Sequence, residues 1–354
     1  MIRRAFIIWS SLAAISAGAH GQAAKKLPNI TIIATGGTIA GEAATSTQSG
    51  YTSGQVGVET LIKAVPTLSK IAKVTGEQIS NVGSQDMSDE IWLKLAKRLN
   101  ELAKSANVDG IVITHGTDTL EETAYFLHLT VKTKKPVVLT GSMRPSSALS
   151  ADGPLNIYNA VAVAGDPAAA GRGVLVVIND QIHSAHDMTK TNTTSVETFM
   201  SPYRGVIGTS SYGVNQFYRG PFKKNTTESE FSVDTVTKLP RVDILYIYED
   251  MPGDLVNAAV SAGAQGIVTA GVGNGNMPKA VMNALTQAAQ KGVVVVRASR
   301  VPTGFVGRNV EVDDDKLNFV ASEELNPPKA RVLLRLALMK TKDPKQVQRF
   351  FNAY

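Results

Sequence analysis

Three hydroxyl-rich segments directly follow β-branched runs in this chain, at Thr35–Thr38, Thr114–Thr119 and Thr140–Ser142. A threonine hydroxyl attacks a carbonyl carbon only when a neighbouring group takes up its proton or activates its oxygen. In the first segment, TGGTIAG, Gly36 and Gly37 allow a tight turn and close approach of a ligand, with Thr38 just beyond. The same sequence also fits a bare turn, or a glycine turn that cradles phosphate. In the second, HGTDT, Thr117 and Asp118 stand at the mouth of a strand. Asp118 and Glu121 also have the spacing of a helix capping box, and His115 is either a turn residue or a general base. Lys190 stands among threonines in DMTKTNTT. A lysine beside a threonine hydroxyl can accept its proton if desolvation lowers the lysine pKa. Tyr51 belongs to a Ser, Thr and Gly-rich stretch, residues 43–57, whose composition suits a surface loop or a lid over a small ligand.

Several other chemistries lack their motif. The full GxGxxG spacing, the P-loop GKS or GKT and the hydrolase elbow GxSxG do not occur. Five histidines include one HxxH pair, His183 and His186, without a third ligand at recognisable spacing, and HExxH is missing. The run Asp313–Asp315 lacks the alternation of a calcium loop and reads as a charged turn. No metal and no cofactor are expected. With no cysteine, the chain can form neither disulfides nor thiolate sites.

The elements that must position these groups alternate. The runs NITIIA, GIVIT, PVVLTG and GVLVVIN are separated by helical patterns, which is the βαβ signature. One pattern, near residues 88–104, puts Ile91, Leu95, Leu99 and Leu102 on one side and Lys94, Lys97, Arg98 and Glu101 on the other. Ligands of such parallel sheets bind beyond the carboxyl ends of the strands, where the hydroxyl-rich segments fall. A polar stretch over 218–239 lacks an apolar period and reads as a linker, after which DILYIY, GIVTAG and VVVVRAS resume the alternation. The fold expected is α/β in two domains. The larger, over 27–217, has a mostly parallel sheet flanked by helices, and the smaller, over 240–354, has a parallel sheet of its own.

At 354 residues and 43% hydrophobic content, the chain can bury a substantial core. Its 36 basic residues against 30 acidic ones are scattered without a basic run, so nucleic-acid binding is not expected. Residues 1–23 combine Arg3 and Arg4, an apolar stretch and small residues, and read as a signal peptide cut after Ala19 or Ala23. The alternative is an uncleaved anchor helix, although the apolar stretch is shorter than the ~20 residues of a bilayer span. Export to the periplasm, with no membrane association after cleavage, is the expectation.

TGGTIA and HGTDT occur in order with NVGSQDM, TGSMRPSSALSADGPLNIYNA, TKTNTT, AGVGNGN, RVPTG and LNPPKARVLL. From Leu27 to Tyr354 the chain thereby resembles bacterial type II L-asparaginases of the asparaginase/glutaminase family. The resemblance implies hydrolysis of L-asparagine to aspartate and ammonia, the first step of asparagine catabolism, with minor activity on L-glutamine. It implies Thr38 as nucleophile, Tyr51 against its hydroxyl, and a second cluster of Thr117, Asp118 and Lys190 in which Lys190 tunes Thr117. It assigns the substrate ammonium to Asp118 and to Glu311 of a neighbouring subunit, the substrate carboxylate to Ser84, and the rest of the pocket to Gln85 and Asn276. It also implies a homotetramer of two tight dimers with shared sites. Some relatives carry a disulfide that this chain cannot form. Strongly glutaminolytic relatives often have serine where Asn276 stands, which favours asparagine here. One methylene discriminates by only ~1–3 kcal/mol, so some glutamine turnover is expected. Two other readings are a glutaminase-asparaginase with comparable use of both amides, and an exported solute-binding protein, which would need no hydroxyl pair beside a lysine.

Overall fold

The computed structural model describes residues 26–47 and 52–354. The leader read over residues 1–23 and the candidate Tyr51 lie outside the described residues. Five parallel strands form the body of the large sheet: β1 (Asn29–Gly36), β2 (Lys73–Val82), β3 (Gly110–Thr114), β4 (Val137–Thr140) and β5 (Val174–Ile178). The sheet continues antiparallel through β6 (Gln181–Ser184). Two-residue strands β7 (Thr189–Lys190) and β8 (Phe199–Met200) pair with each other apart from it, and β9 (Gly208–Ser211) and β10 (Val214–Phe217) complete its far edge. The strand order is β10-β9-β6-β5-β4-β3-β1-β2.

Alternate residues of the central strands feed two cores, because successive side chains of a strand point to opposite faces. Ile33, Ile111, Ile113, Leu139 and Val176 belong to the core that contains α2 (Asp89–Lys104) and α3 (Leu120–Thr130). Ile32, Val112, Val138, Leu175 and Val177 belong to the core of the opposite face, with α1 (Val58–Lys63) and α4 (Gly153–Ala164). Coverage on both faces explains why β3, β4 and β5 are buried throughout and rich in Val, Ile and Leu. Helix α2 shows the period read from the sequence, starting after Ser88, whose hydroxyl accepts from Ile91 N, and burying Leu95, Leu99 and Leu102.

The second sheet is wholly parallel, in the order β11 (Val242–Tyr246), β12 (Gly266–Gly271), β13 (Val294–Ser299) and β14 (Phe319–Ala321). Helices α5 (Asp254–Ser261) and α6 (Lys279–Gln290) cover one face, and the short α7 (Asp314–Leu317) precedes β14. The other face packs against α8 (Pro327–Leu338), followed by α9 (Pro344–Ala353). Helix α8 also touches α3, so its Ala330, Leu333 and Leu334 join one continuous core with residues of both sheets. Between the sheets, Phe231 and Val233 are fully buried, and the Ser229 hydroxyl donates to Leu129 O at 2.5 Å. This is the two-domain α/β architecture expected from the sequence. Among the described residues no helix is long and apolar enough to cross a membrane.

Candidate active site

Strands β2, β1 and β3 lie side by side, with Gly36 opposite Val82 and Ala34 opposite Thr114. Their carboxyl ends therefore deliver Ser84–Gln85, Thr35–Thr38 and Thr114–Asp118 to one edge of the sheet. Thr35 Oγ1 donates to Thr114 O at 3.0 Å. The glycines then do what only glycine can. Gly37 has φ +83°, and a Cβ on it would lie 2.3 Å from Gly116 Cα. A Cβ on Gly116 would lie 2.7 Å from Ser84 Oγ. The turn before Thr38 thus rests backbone to backbone on the turn before Thr117, and that turn rests on Ser84. Thr38, Thr117 and Ser84 are all buried. Thr38 begins a single turn of 3-10 helix, and Gly37 N donates to Val82 O at 2.9 Å.

Lys190 completes the second cluster. Its Nζ donates to Thr117 Oγ1 at 3.0 Å and to Asp118 Oδ1 at 2.7 Å, and its backbone N–H donates to Glu121 Oε2 at 3.2 Å. The lysine side chain is only 18% exposed, against 60% for Asp118, so the pair has a half-buried cation and a solvent-facing carboxylate. An ammonium at this range stabilises negative charge developing on the threonine oxygen. Asp118 N donates to Ser84 Oγ at 3.0 Å, and Thr119 Oγ1 to Ser84 O at 2.7 Å. Ser84 Oγ keeps its own hydrogen for another acceptor. Beside it, Gln85 Nε2 donates to Asp86 Oδ2 at 3.0 Å.

The capping-box spacing of Asp118 and Glu121 is not used as a cap. Helix α3 has Thr119 as N-cap with no side-chain cap bond, and both carboxylates turn to Lys190 instead. His115 is completely buried, with Nδ1 2.7 Å from Gly116 O. Burial pulls its pKa down to about 4, against the opposing hydrogen bond, so the ring is a neutral part of the turn near neutral pH. His183 Nδ1 lies 2.9 Å from Ser201 Oγ, and His186 Nε2 lies 3.5 Å from Glu324 Oε1.

Asn276 and Glu311 stand together on the second domain. Asn276 Nδ2 donates to Glu311 Oε2, and the Asn276 backbone exchanges hydrogen bonds of 2.9 and 2.8 Å with Val272. Their support was not legible in advance. Arg297, fully buried in β13, pairs with Asp314 and donates to Asn274 O at 3.0 Å and Gly307 O at 3.1 Å. The charged-turn reading of Asp313–Asp315 therefore needs correction at its centre, because Asp314 is fully buried while Asp313 caps α7. An arginine inside the apolar run VVVVRAS was the available signal, since a buried charge requires a partner.

Comparison with known proteins agrees over nearly the whole length. A family model described as "Asparaginase, N-terminal" matches residues 29–222, and one described as "Glutaminase/Asparaginase C-terminal domain" matches residues 241–351. The chain is 56% identical over 331 residues to the "Probable L-asparaginase periplasmic" of Haemophilus influenzae, with 94% of each protein covered. It is 55% identical over 345 residues to "L-asparaginase 2" of Escherichia coli, with 98% of each covered. The solved structure of the "Probable Cytoplasmic L-asparaginase from Campylobacter jejuni" matches with a TM-score of 0.90 at 48% identity, over 92% of this chain and 100% of that one.

Proposed function

The chain belongs to the asparaginase family, and on that premise we propose that it hydrolyses free L-asparagine to L-aspartate and ammonia through a threonine acyl-enzyme, turning over L-glutamine as a minor substrate. The observation that carries this reading is the contact of Lys190 Nζ with Thr117 Oγ1 and Asp118 Oδ1, beside the backbone contact of Gly37 with Gly116. A protein that only binds would not require a lysine held against a buried hydroxyl.

In the proposed reaction Thr38 Oγ1 gives up its proton to Thr117 as it bonds to the side-chain amide carbon of the substrate, and the carbonyl oxygen becomes an oxyanion. Backbone N–H groups of the two glycine turns are the donors suited to it, each worth roughly 3–4 kcal/mol in measured hydrolases. The carbon–nitrogen bond breaks, the nitrogen takes up a proton and leaves as ammonia, and water then attacks the ester to release aspartate and restore the Thr38 hydroxyl. Thr117, held by Lys190, is the group proposed to pass that proton. Tyr51 is proposed to close against Thr38. Asp118 would receive the substrate ammonium, Ser84 Oγ its carboxylate, and Gln85 would wall the pocket.

Glu311 is exposed on the second domain with the half-buried Asn276 beside it, which suits a role at a neighbouring subunit's site. Ile244, Tyr246, Leu255 and Phe305 of the same domain present apolar surface to solvent, which is consistent with subunit packing. We therefore read the working form as a homotetramer of two dimers. Export to the periplasm after removal of residues 1–23 is proposed from the leader sequence and from the periplasmic relative.

The test is ammonia release by the purified protein, with L-asparagine and L-glutamine side by side, for the natural sequence and for Thr38→Ala. Turnover of asparagine that disappears in the variant supports the threonine mechanism and gives the specificity ratio. A folded protein that binds asparagine without releasing ammonia would sink it.

A further inference from the structure

Lys190 sits on a strand of two residues, and so short a ladder cannot by itself fix a long, flexible side chain. Its segment is gripped from the second domain, at the start of α8. Asn326 is the N-cap of that helix, its Oδ1 accepting from Lys329 N at 3.1 Å. The amide of the same side chain faces the other way, with Nδ2 3.3 Å from both Glu121 Oε1 and Thr189 Oγ1. Glu121 Oε2 in turn accepts from Lys190 N. On the next residues of α8, the fully buried Lys329 Nζ donates to His186 O at 2.8 Å and to Met188 O. Four points of the segment, at His186, Met188, Thr189 and Lys190, are thus held by two side chains from the start of α8 and by one carboxylate of α3.

We propose that Asn326 and Glu121 are positioning residues for the reaction: their amide–carboxylate pair sets where Lys190 Nζ stands relative to Thr117 and Asp118. The inference rests on the reading of Lys190 as a catalytic group. Each residue has a plainer role available. Asn326 could serve only as a helix cap, and Glu121 only as a favourable acid in the first turn of α3. Those roles predict changes in stability alone. The positioning role predicts a loss of turnover that follows the direction of the hydrogen bond.

Reversing that direction is the experiment. Asn326→Asp retains a good N-cap but sets a carboxylate against the Glu121 carboxylate. Glu121→Gln keeps an acceptor for Lys190 N but sets an amide against the Asn326 amide. Each single change should lower kcat for asparagine about 10- to 100-fold with little change in KM, the scale of loss when a reacting group is displaced by about 1 Å. The double change restores a donor facing an acceptor, with the same net charge, and should recover most of kcat. Lys190→Met is run in parallel. If Lys190→Met keeps natural turnover, the reading of the lysine fails and the positioning role falls with it. If Lys190→Met is inactive but both single variants keep natural kcat, only the positioning role is overturned. Two inactive singles without recovery in the double also overturn it. Should Asn326→Asp not fold, Asn326→Ser, which keeps a cap and removes the amide, decides the matter: natural kcat in that folded variant overturns the proposal.

Discussion

Arg297 and Asp314 meet as a bidentate pair, Nε to Oδ1 at 2.6 Å and Nη2 to Oδ2 at 2.7 Å, with neither side chain exposed. Asp314 Oδ2 also accepts from Asn309 N at 2.9 Å, so the pair ties the loop of Asn276 to the loop of Glu311. Asp314→Ala leaves a buried guanidinium without its counter-charge, and truncations of this kind cost about 3–5 kcal/mol. The expected result is a lower urea midpoint together with a raised KM for asparagine. An unchanged midpoint would show that the guanidinium finds water or another acceptor.

Gly37 and Gly292 share almost the same φ, +83° and +84°, but only Gly37, whose ψ is −171°, has a neighbour within reach of a Cβ. Gly292→Ala should therefore carry only the cost of a left-handed conformation, on the order of 1 kcal/mol. Gly37→Ala adds the collision with Gly116, and should lose more stability and most of kcat/KM. Equal melting temperatures and equal activities for the two variants would remove the close approach of the two turns from the account.

Burial holds His115, His128 and His183 down to about 4, desolvation being the largest cause in each. Unfolded, each titrates near 6.5, so between about 4 and 6.5 the unfolded chain binds more protons than the folded one. Stability is then fully present above about 6.5 and falls as the pH drops, by up to about 1.4 kcal/mol per pH unit for each ring. Asp187 and Glu122, whose carboxyls burial pushes up, act in the opposite sense at lower pH. Urea midpoints measured from pH 7.5 to 5 should fall, and His128→Gln should fall less steeply. A flat profile for the natural sequence would contradict neutral buried rings.

A shared site would be revealed by mixing. Thr38→Ala and Glu311→Ala should each be poorly active alone. Co-assembled from unfolded chains, they should regain part of the natural kcat, because some sites draw both groups from intact chains. Absence of recovery in confirmed hetero-oligomers would confine each site to one chain.

What was legible in the sequence was local. The glycine turns after NITIIA and GIVIT and the period of α2 are written in neighbouring residues, and the turns mark the edge where Thr38 and Thr117 sit. The antiparallel extension β6, β9 and β10 went unread, because its four-residue strands carry Gln, His, Asn, Ser and Thr rather than an apolar run. Lys190 drew attention only through its threonine surroundings; the contacts that place it come from 69 to 73 residues away. Asn326 carries no signal of its own within LNPPKARVLL, and Asp314 reads as part of a charged turn. Their significance depends on partners that no window of sequence contains.

The shared core of α8 also bears on biosynthesis. A growing chain that has emerged as far as residue 240 already contains Thr38, Thr117, Asp118 and Lys190, but neither the helix that joins their sheet to the second one nor the amide that meets Glu121 and Thr189. The part that bears the groups proposed to react is made first, and the helix that holds the Lys190 segment is made after it. A nascent or truncated chain therefore carries every side chain proposed to react without the second-domain contacts that fix the segment of Lys190.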